Sequence, residues 1–66
     1  MEEVEFTESR LKSLISQVGG VNSNQAFIQI NQGNVKVNGV EVRDLNFIPQ
    51  RGDTITVGRK LKFKIK

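Results

Sequence analysis

The hydrophobic pattern changes period midway along the chain, and this switch limits the fold more than any other feature. Leu11, Leu14, Ile15 and Val18 recur at i, i+3, i+4 and i+7, the spacing of one helical face. Beyond Gly33 the period drops to two: Val35 and Val37 flank Lys36, Ile55 and Val57 alternate with Thr54 and Thr56, and Leu61, Phe63 and Ile65 alternate with Lys60, Lys62, Lys64 and Lys66. Helices therefore precede strands. The fold class expected is α+β, with two N-terminal helices packed on a small antiparallel sheet.

The punctuation supports this order. Thr7 or Ser9 can cap the first helix, Glu8 suits its positive end, and Gly19-Gly20 stops it. Asn22, Ser23 or Asn24 can cap a second, shorter helix that carries Ala26 and Ile30 on one face and ends at Gly33. Asn38-Gly39 is a two-residue hairpin signal. It sets Val37 against Val40, Val35 against Val42, and Lys36 against Glu41 as a favourable cross-strand pair. Arg43 to Gln50 reads as a connection anchored by Leu45, Phe47 and Ile48, and Pro49 to Asp53 as a turn. Matching apolar faces in the last hairpin pairs Val57 with Leu61. Gly58-Arg59-Lys60 is then the loop, although glycine is expected at the end of such a loop rather than at its start. The expected core is Leu11, Leu14, Ile15, Val18, Ala26, Ile30, Val35, Val37, Ile55, Val57 and Phe63.

Sixty-six residues allow one domain, which buries only about 60% of its unfolded surface and leaves little room for a deep substrate pocket. We divide it into an acidic leader (1–8), a helix pair (9–33) and the sheet (34–66). From Ser9 onward ten basic residues face three acids, Glu41, Asp44 and Asp53, so the body is basic and suits a polyanion. The chain has no histidine and no cysteine. Its acids do not cluster as a proton-sharing pair or a metal cage, and its serines lack a base, so neither catalysis, a metal nor a cofactor is expected. The acidic start lacks the basic and apolar parts of a secretory signal, and no stretch is long and apolar enough to span a membrane. A cytoplasmic monomer is expected. Arg51-Gly52-Asp53 matches an adhesion tripeptide but reads more simply as a turn. The alternating lysines have two readings, protection of a strand edge and a phosphate-contacting stripe.

The order of these signals carries a family resemblance. Arg10-Leu11, Ser23, Gln25-Ala26, Ile30, Gly33, Val35-Lys36-Val37-Asn38-Gly39 and Arg51-Gly52-Asp53 resemble the RNA-binding domain family named after small-subunit ribosomal protein four, over Arg10 to Val57. The resemblance implies two helices against a bent antiparallel sheet that bind structured RNA, either tRNA or rRNA. It assigns contacts to Arg10 and Lys12 on the first helix, to Ser23, Asn24, Gln25, Phe27 and Ile28 on the second, and to Lys36 on the sheet. The chain departs from the family in having no charged residue from Ser13 to Val35. Binding should accordingly be weaker, or shifted toward the sheet lysines Lys60, Lys62 and Lys64, with Arg59 at the loop tip. The tail from Val57 to Lys66, with Val42-Arg43-Asp44, resembles the C-terminal tRNA-binding appendage of bacterial-type tyrosyl-tRNA synthetases. That resemblance implies a parent enzyme domain as partner, while free-standing members and members fused to RNA-modifying enzymes share most of the same residues. The uncharged second helix also admits a second reading, a protein-interaction domain that has lost its RNA surface and uses Phe27 and Ile28 as an apolar patch.

Overall fold

A computed structural model describes residues 2–66; Met1, the first residue of the expected leader, lies outside them. The elements are β1 (Glu2–Val4), α1 (Leu11–Gly19), α2 (Ser23–Asn31), β2 (Val35–Val37), β3 (Val40–Glu41), β4 (Thr54–Val57) and β5 (Leu61–Ile65). The strands form one five-stranded sheet in the order β1-β5-β4-β2-β3, so the class is α+β as expected. The sheet is mixed, however, rather than purely antiparallel. β1 runs parallel to β5, pairing Glu2 with Phe63, Glu3 with Lys64 and Val4 with Ile65, and the Lys66 N–H donates to the Val4 carbonyl at 2.8 Å. Part of the acidic leader is thus a strand. It covers the backbone edge that β5 would otherwise expose, and Val4 and Phe6 pack against the core from that side.

The first hairpin has the expected register, Val37 opposite Val40 and Lys36 opposite Glu41, with the Val42 N–H donating to the Val35 carbonyl at 3.1 Å. Its turn has φ of 53° at Asn38 and 83° at Gly39, the double left-handed geometry that matches strand twist. Asn38 also ties this turn to the next one. Its Oδ1 accepts from the Thr54 N–H at 3.0 Å, and its Nδ2 donates to Asp53 Oδ1 at 3.0 Å. The last hairpin pairs Val57 with Leu61 around Gly58-Arg59-Lys60, and the positive φ falls on Gly58, the loop's first residue.

The core lies between the helices and one sheet face. Leu11, Leu14, Ile15, Ala26, Ile30, Val35, Val37, Ile55, Phe63 and Ile65 are buried. Val18 and Val57, expected in that set, are only half-buried, and Ile65 takes a place not expected for it. Val57 lies where the helix pair leaves a groove beside β4 and β5, while β1 closes over Ile65. In the 43–50 connection Leu45 and Phe47 pack on the core, Ile48 is exposed, and Pro49 is buried instead.

Neither Thr7 nor Ser9 caps α1. Their hydroxyls bond each other at 2.8 Å, Arg10 is the N-cap, and Glu8 lies outside the first turn. The free Leu11 N–H instead donates to the Phe47 carbonyl at 2.8 Å, so a distant segment does the work of a cap. α2 is capped by Asn22, whose Oδ1 accepts from the Gln25 N–H at 2.8 Å. Gly33 follows the helix with φ 78°, the left-handed stop.

Candidate nucleic-acid interface

Residues opposite one another on neighbouring strands share a sheet face. The buried set of β2, β4 and β5 faces the helices, which turns Lys36, Thr54, Thr56, Lys62 and Lys64 to the other side. Two rows cross this open face. One runs Glu3, Lys64, Thr54; the other runs Lys62, Thr56, Lys36, Glu41. Lysines occupy the middle and glutamates the two edges. The threonines between them are half-buried and bring hydroxyls to the surface.

Lys36 does not form the expected ion pair with Glu41, although the two are in register. The Glu41 carboxylate accepts from Arg43 Nε at 2.8 Å instead, because both side chains emerge at the β3 edge beside Gly33. Among the described residues Lys36, Lys62 and Lys64 make no ion pair. An ammonium without a partner keeps its hydration and counterions, which a phosphate can displace. Lys66, by contrast, lies 3.5 Å from Glu5.

The remaining expected contacts fall at two other places. Arg10 and Lys12 are at the start of α1, beside the 43–50 connection. Ser23, Asn24 and Gln25 form the exposed first turn of α2. The far end of α1 packs on the last hairpin, with Gly19 so close that an added Cβ would sit 3.1 Å from a Leu61 methyl. This approach leaves a groove of about 510 Å³. Ile15, Val21, Val57 and Leu61 give it an apolar lining, α2 contributes Gln25 and Gln29, and the β4–β5 loop contributes the exposed Arg59 and Lys60. Ten expected site residues thus divide into three groups: the start of α1, the groove with the first turn of α2, and the open sheet face. Gln25, Arg59 and Lys60 come together in the groove; Arg10 and Lys12 stay apart from them.

Gln29, Val21 and Leu61 were not expected as site residues. The one local sign is Gln25 and Gln29 at i and i+4 on a helix without charges. Phe27 and Ile28 do not form a joint patch. Phe27 is half-buried, Ile28 is 37% exposed, and successive helical residues diverge by about 100°. Arg51 and Asp53 of the tripeptide are engaged internally. The Arg51 guanidinium lies 4.9 Å from the centre of the Phe6 ring, and Asp53 accepts from Asn38 and from the Gln50 N–H.

Comparison with known proteins bears on the family and the fold. Residues 9–55 match the family model described as S4 domain. A solved structure described as the crystal structure of pseudouridylate synthase is similar over 73% of this chain, with 31% identity and a TM-score of 0.69. The likeness spans 21% of that protein's chain. No curated protein matches the sequence. The matched family segment ends at Ile55, so the lysines of β5 lie beyond it.

Proposed function

Because the chain belongs to the S4 domain family, whose members bind RNA, we propose that it holds a structured RNA, tRNA or rRNA, against the open lysine face of its sheet and does no chemistry itself. The observation that carries this reading is the cluster of Lys36, Lys62 and Lys64 on one exposed face without ion-pair partners. Phosphates neutralised there release counterions, and the adjacent Thr54 and Thr56 hydroxyls can bond phosphate or ribose oxygens. Arg10 with Lys12 at the start of α1, and Ser23 with Asn24 in the first turn of α2, supply two further groups of contacts, and Arg59 with Lys60 adds charge beside the second of them. Such a surface reads duplex shape and unpaired loops rather than the narrow major groove of A-form RNA.

The finer role is that of an RNA-anchoring appendage to an enzyme. Two likenesses support it: the basic tail resembles that of tyrosyl-tRNA synthetases, and the similar solved structure belongs to a pseudouridylate synthase. The protein-interaction reading finds no support in the placement of Phe27 and Ile28.

The test is the salt dependence of binding to bulk tRNA. If three to five phosphates are contacted, the slope of log K against log salt should be about −2 to −4.5. A slope near zero, or no binding at low salt, removes the reading.

A further inference from the structure

We propose that the groove between the helix pair and the β4–β5 loop is a subsite for one unpaired RNA base, read by Gln25 and Gln29 and clamped at its phosphate by Arg59 and Lys60. The inference rests on the RNA-binding reading and goes beyond it, because the sheet lysines contact only phosphate and carry no base information.

Three features of the groove point to a base. Its lining is apolar, made by Ile15, Val21, Val57 and Leu61, and Val21 is 40% exposed at its edge. An unstacked base needs apolar surface against its faces. Its volume of about 510 Å³ lies within the range of small-molecule pockets, so a base and its ribose fit while a duplex does not. Its polar groups come from two elements. The amides belong to α2 and the cations to the β4–β5 loop, so the polar base edge and the anionic phosphate of a nucleotide would each meet a different element.

The amides are also prepared differently. The Gln29 Oε1 accepts from Asn34 Nδ2 at 3.1 Å, which leaves its amide N–H groups to donate. Among the described residues the Gln25 side chain has no hydrogen-bond partner, so it offers both a donor and an acceptor. A glutamine amide can bond a base edge in bidentate fashion, and a neighbouring donor adds a third contact. Arg59 and Lys60 make no ion pair among the described residues, and the groove lining carries no acidic side chain. The groove therefore matches an anionic ligand in charge. Hydrogen bonds hold its walls in place. The Gly58 N–H donates to the Asn34 carbonyl at 2.9 Å, and Ser16 Oγ donates to the Val21 carbonyl at 2.6 Å.

The experiment is an NMR titration of the labelled protein with three probes. They are a random-sequence single-stranded hexaribonucleotide pool, a hexamer of abasic ribose phosphates, and bulk tRNA. The hexaribonucleotide pool should shift the side-chain amides of Gln25 and Gln29 and the methyls of Val21 and Leu61. The abasic hexamer should shift the cationic residues, Arg59 and Lys60 with the sheet lysines, and leave those amides and methyls unmoved. The double variant Gln25→Ala/Gln29→Ala, at two surface positions, should bind the pool about 10- to 30-fold more weakly and the abasic hexamer unchanged.

Equal shifts from pool and abasic hexamer, with the Gln25 and Gln29 amides and the Val21 and Leu61 methyls silent to both, would overturn the base subsite and leave phosphate contacts alone. Groove signals silent to the pool while tRNA shifts Lys36, Lys62 and Lys64 would overturn it and leave the RNA-binding reading intact. If no probe shifts any signal, both fail. An acidic glutamate–tyrosine copolymer serves as a fourth probe. Groove shifts with it and none with the pool would assign the groove to a protein partner and overturn the proposal.

Discussion

Replacing Asn38 by alanine should destabilise the domain without touching its RNA surface. Three terms set the size of the effect. Alanine must keep the left-handed φ of 53°, which costs a residue with a Cβ about 1 kcal/mol. The Thr54 N–H loses its 3.0 Å bond to Oδ1, and Asp53 loses its 3.0 Å bond from Nδ2. Each exposed bond contributes about 0.5–1 kcal/mol net. The sum is about 2–3 kcal/mol, taken from a total that for a chain of this length is about 3–10 kcal/mol. Melting should fall by about 8–24 °C, at about 4–8 °C per kcal/mol for so small a domain. Urea and thermal unfolding followed by circular dichroism measure it. A double-mutant cycle with Asp53→Ala should give a coupling of about 0.5–1.5 kcal/mol, because the two side chains share a bond. Below the transition, the folded variant should bind tRNA as the parent does. A loss under 0.5 kcal/mol together with zero coupling would refute the claim that this turn-to-turn tie holds β2 and β4 in register.

Four further outcomes follow from the same geometry. Lys36→Ala/Lys62→Ala/Lys64→Ala should flatten the tRNA salt slope by about 2–2.7, read by fluorescence anisotropy across a salt series, with little change in melting. Glu3→Gln removes the charge opposite Lys64 and should tighten low-salt tRNA binding about two- to fivefold in the same assay; an unchanged affinity would separate Glu3 from the interface. Ile65→Ala opens a cavity under β1 and should cost about 2–5 kcal/mol by urea unfolding. Gly33→Ala should cost about 1–2 kcal/mol, since φ 78° disfavours a Cβ and the new carbon would lie 2.9 Å from an Arg43 guanidinium nitrogen, displacing the Arg43–Glu41 pair.

The features legible in the sequence are those that local chemistry decides. Asn38-Gly39 and the alternation around it specify the first hairpin residue by residue, and the match of Val57 to Leu61 specifies the second. The features that escaped depend on partners far along the chain. Thr7 and Ser9 are plausible caps until Phe47 supplies its carbonyl to the Leu11 N–H. Glu2-Glu3-Val4 has no strong strand pattern, and only the unpaired edge of β5 makes it a strand. That pairing buries Ile65 and sets Glu3 beside Lys64, so the acidic start and the basic tail are neighbours rather than separate charge blocks. The exposed place of Lys36 on its strand was legible, but its freedom from Glu41 was not, because that follows from Arg43.

The placement of charge has a physical logic that the family match alone does not supply. A helix pair packed on one face of a small sheet leaves the other face in water, where lysines cost little. The helix side holds the apolar groove, where a charged α2 would surround a base with competing cations. An α2 rich in amides keeps that side polar without attracting phosphate to it, and the charge in the groove lining comes only from Arg59 and Lys60 of the β4–β5 loop. Attraction and reading can therefore be separated. On the proposed reading the sheet lysines set affinity and its salt dependence, and the amides set which unpaired base is accepted. This division explains why the loss of charge from Ser13 to Val35 need not abolish RNA binding. It also dictates how variants should behave: changes on the sheet face should weaken all RNAs alike, and changes at Gln25 or Gln29 should alter the ranking of single-stranded sequences while leaving the salt slope in place.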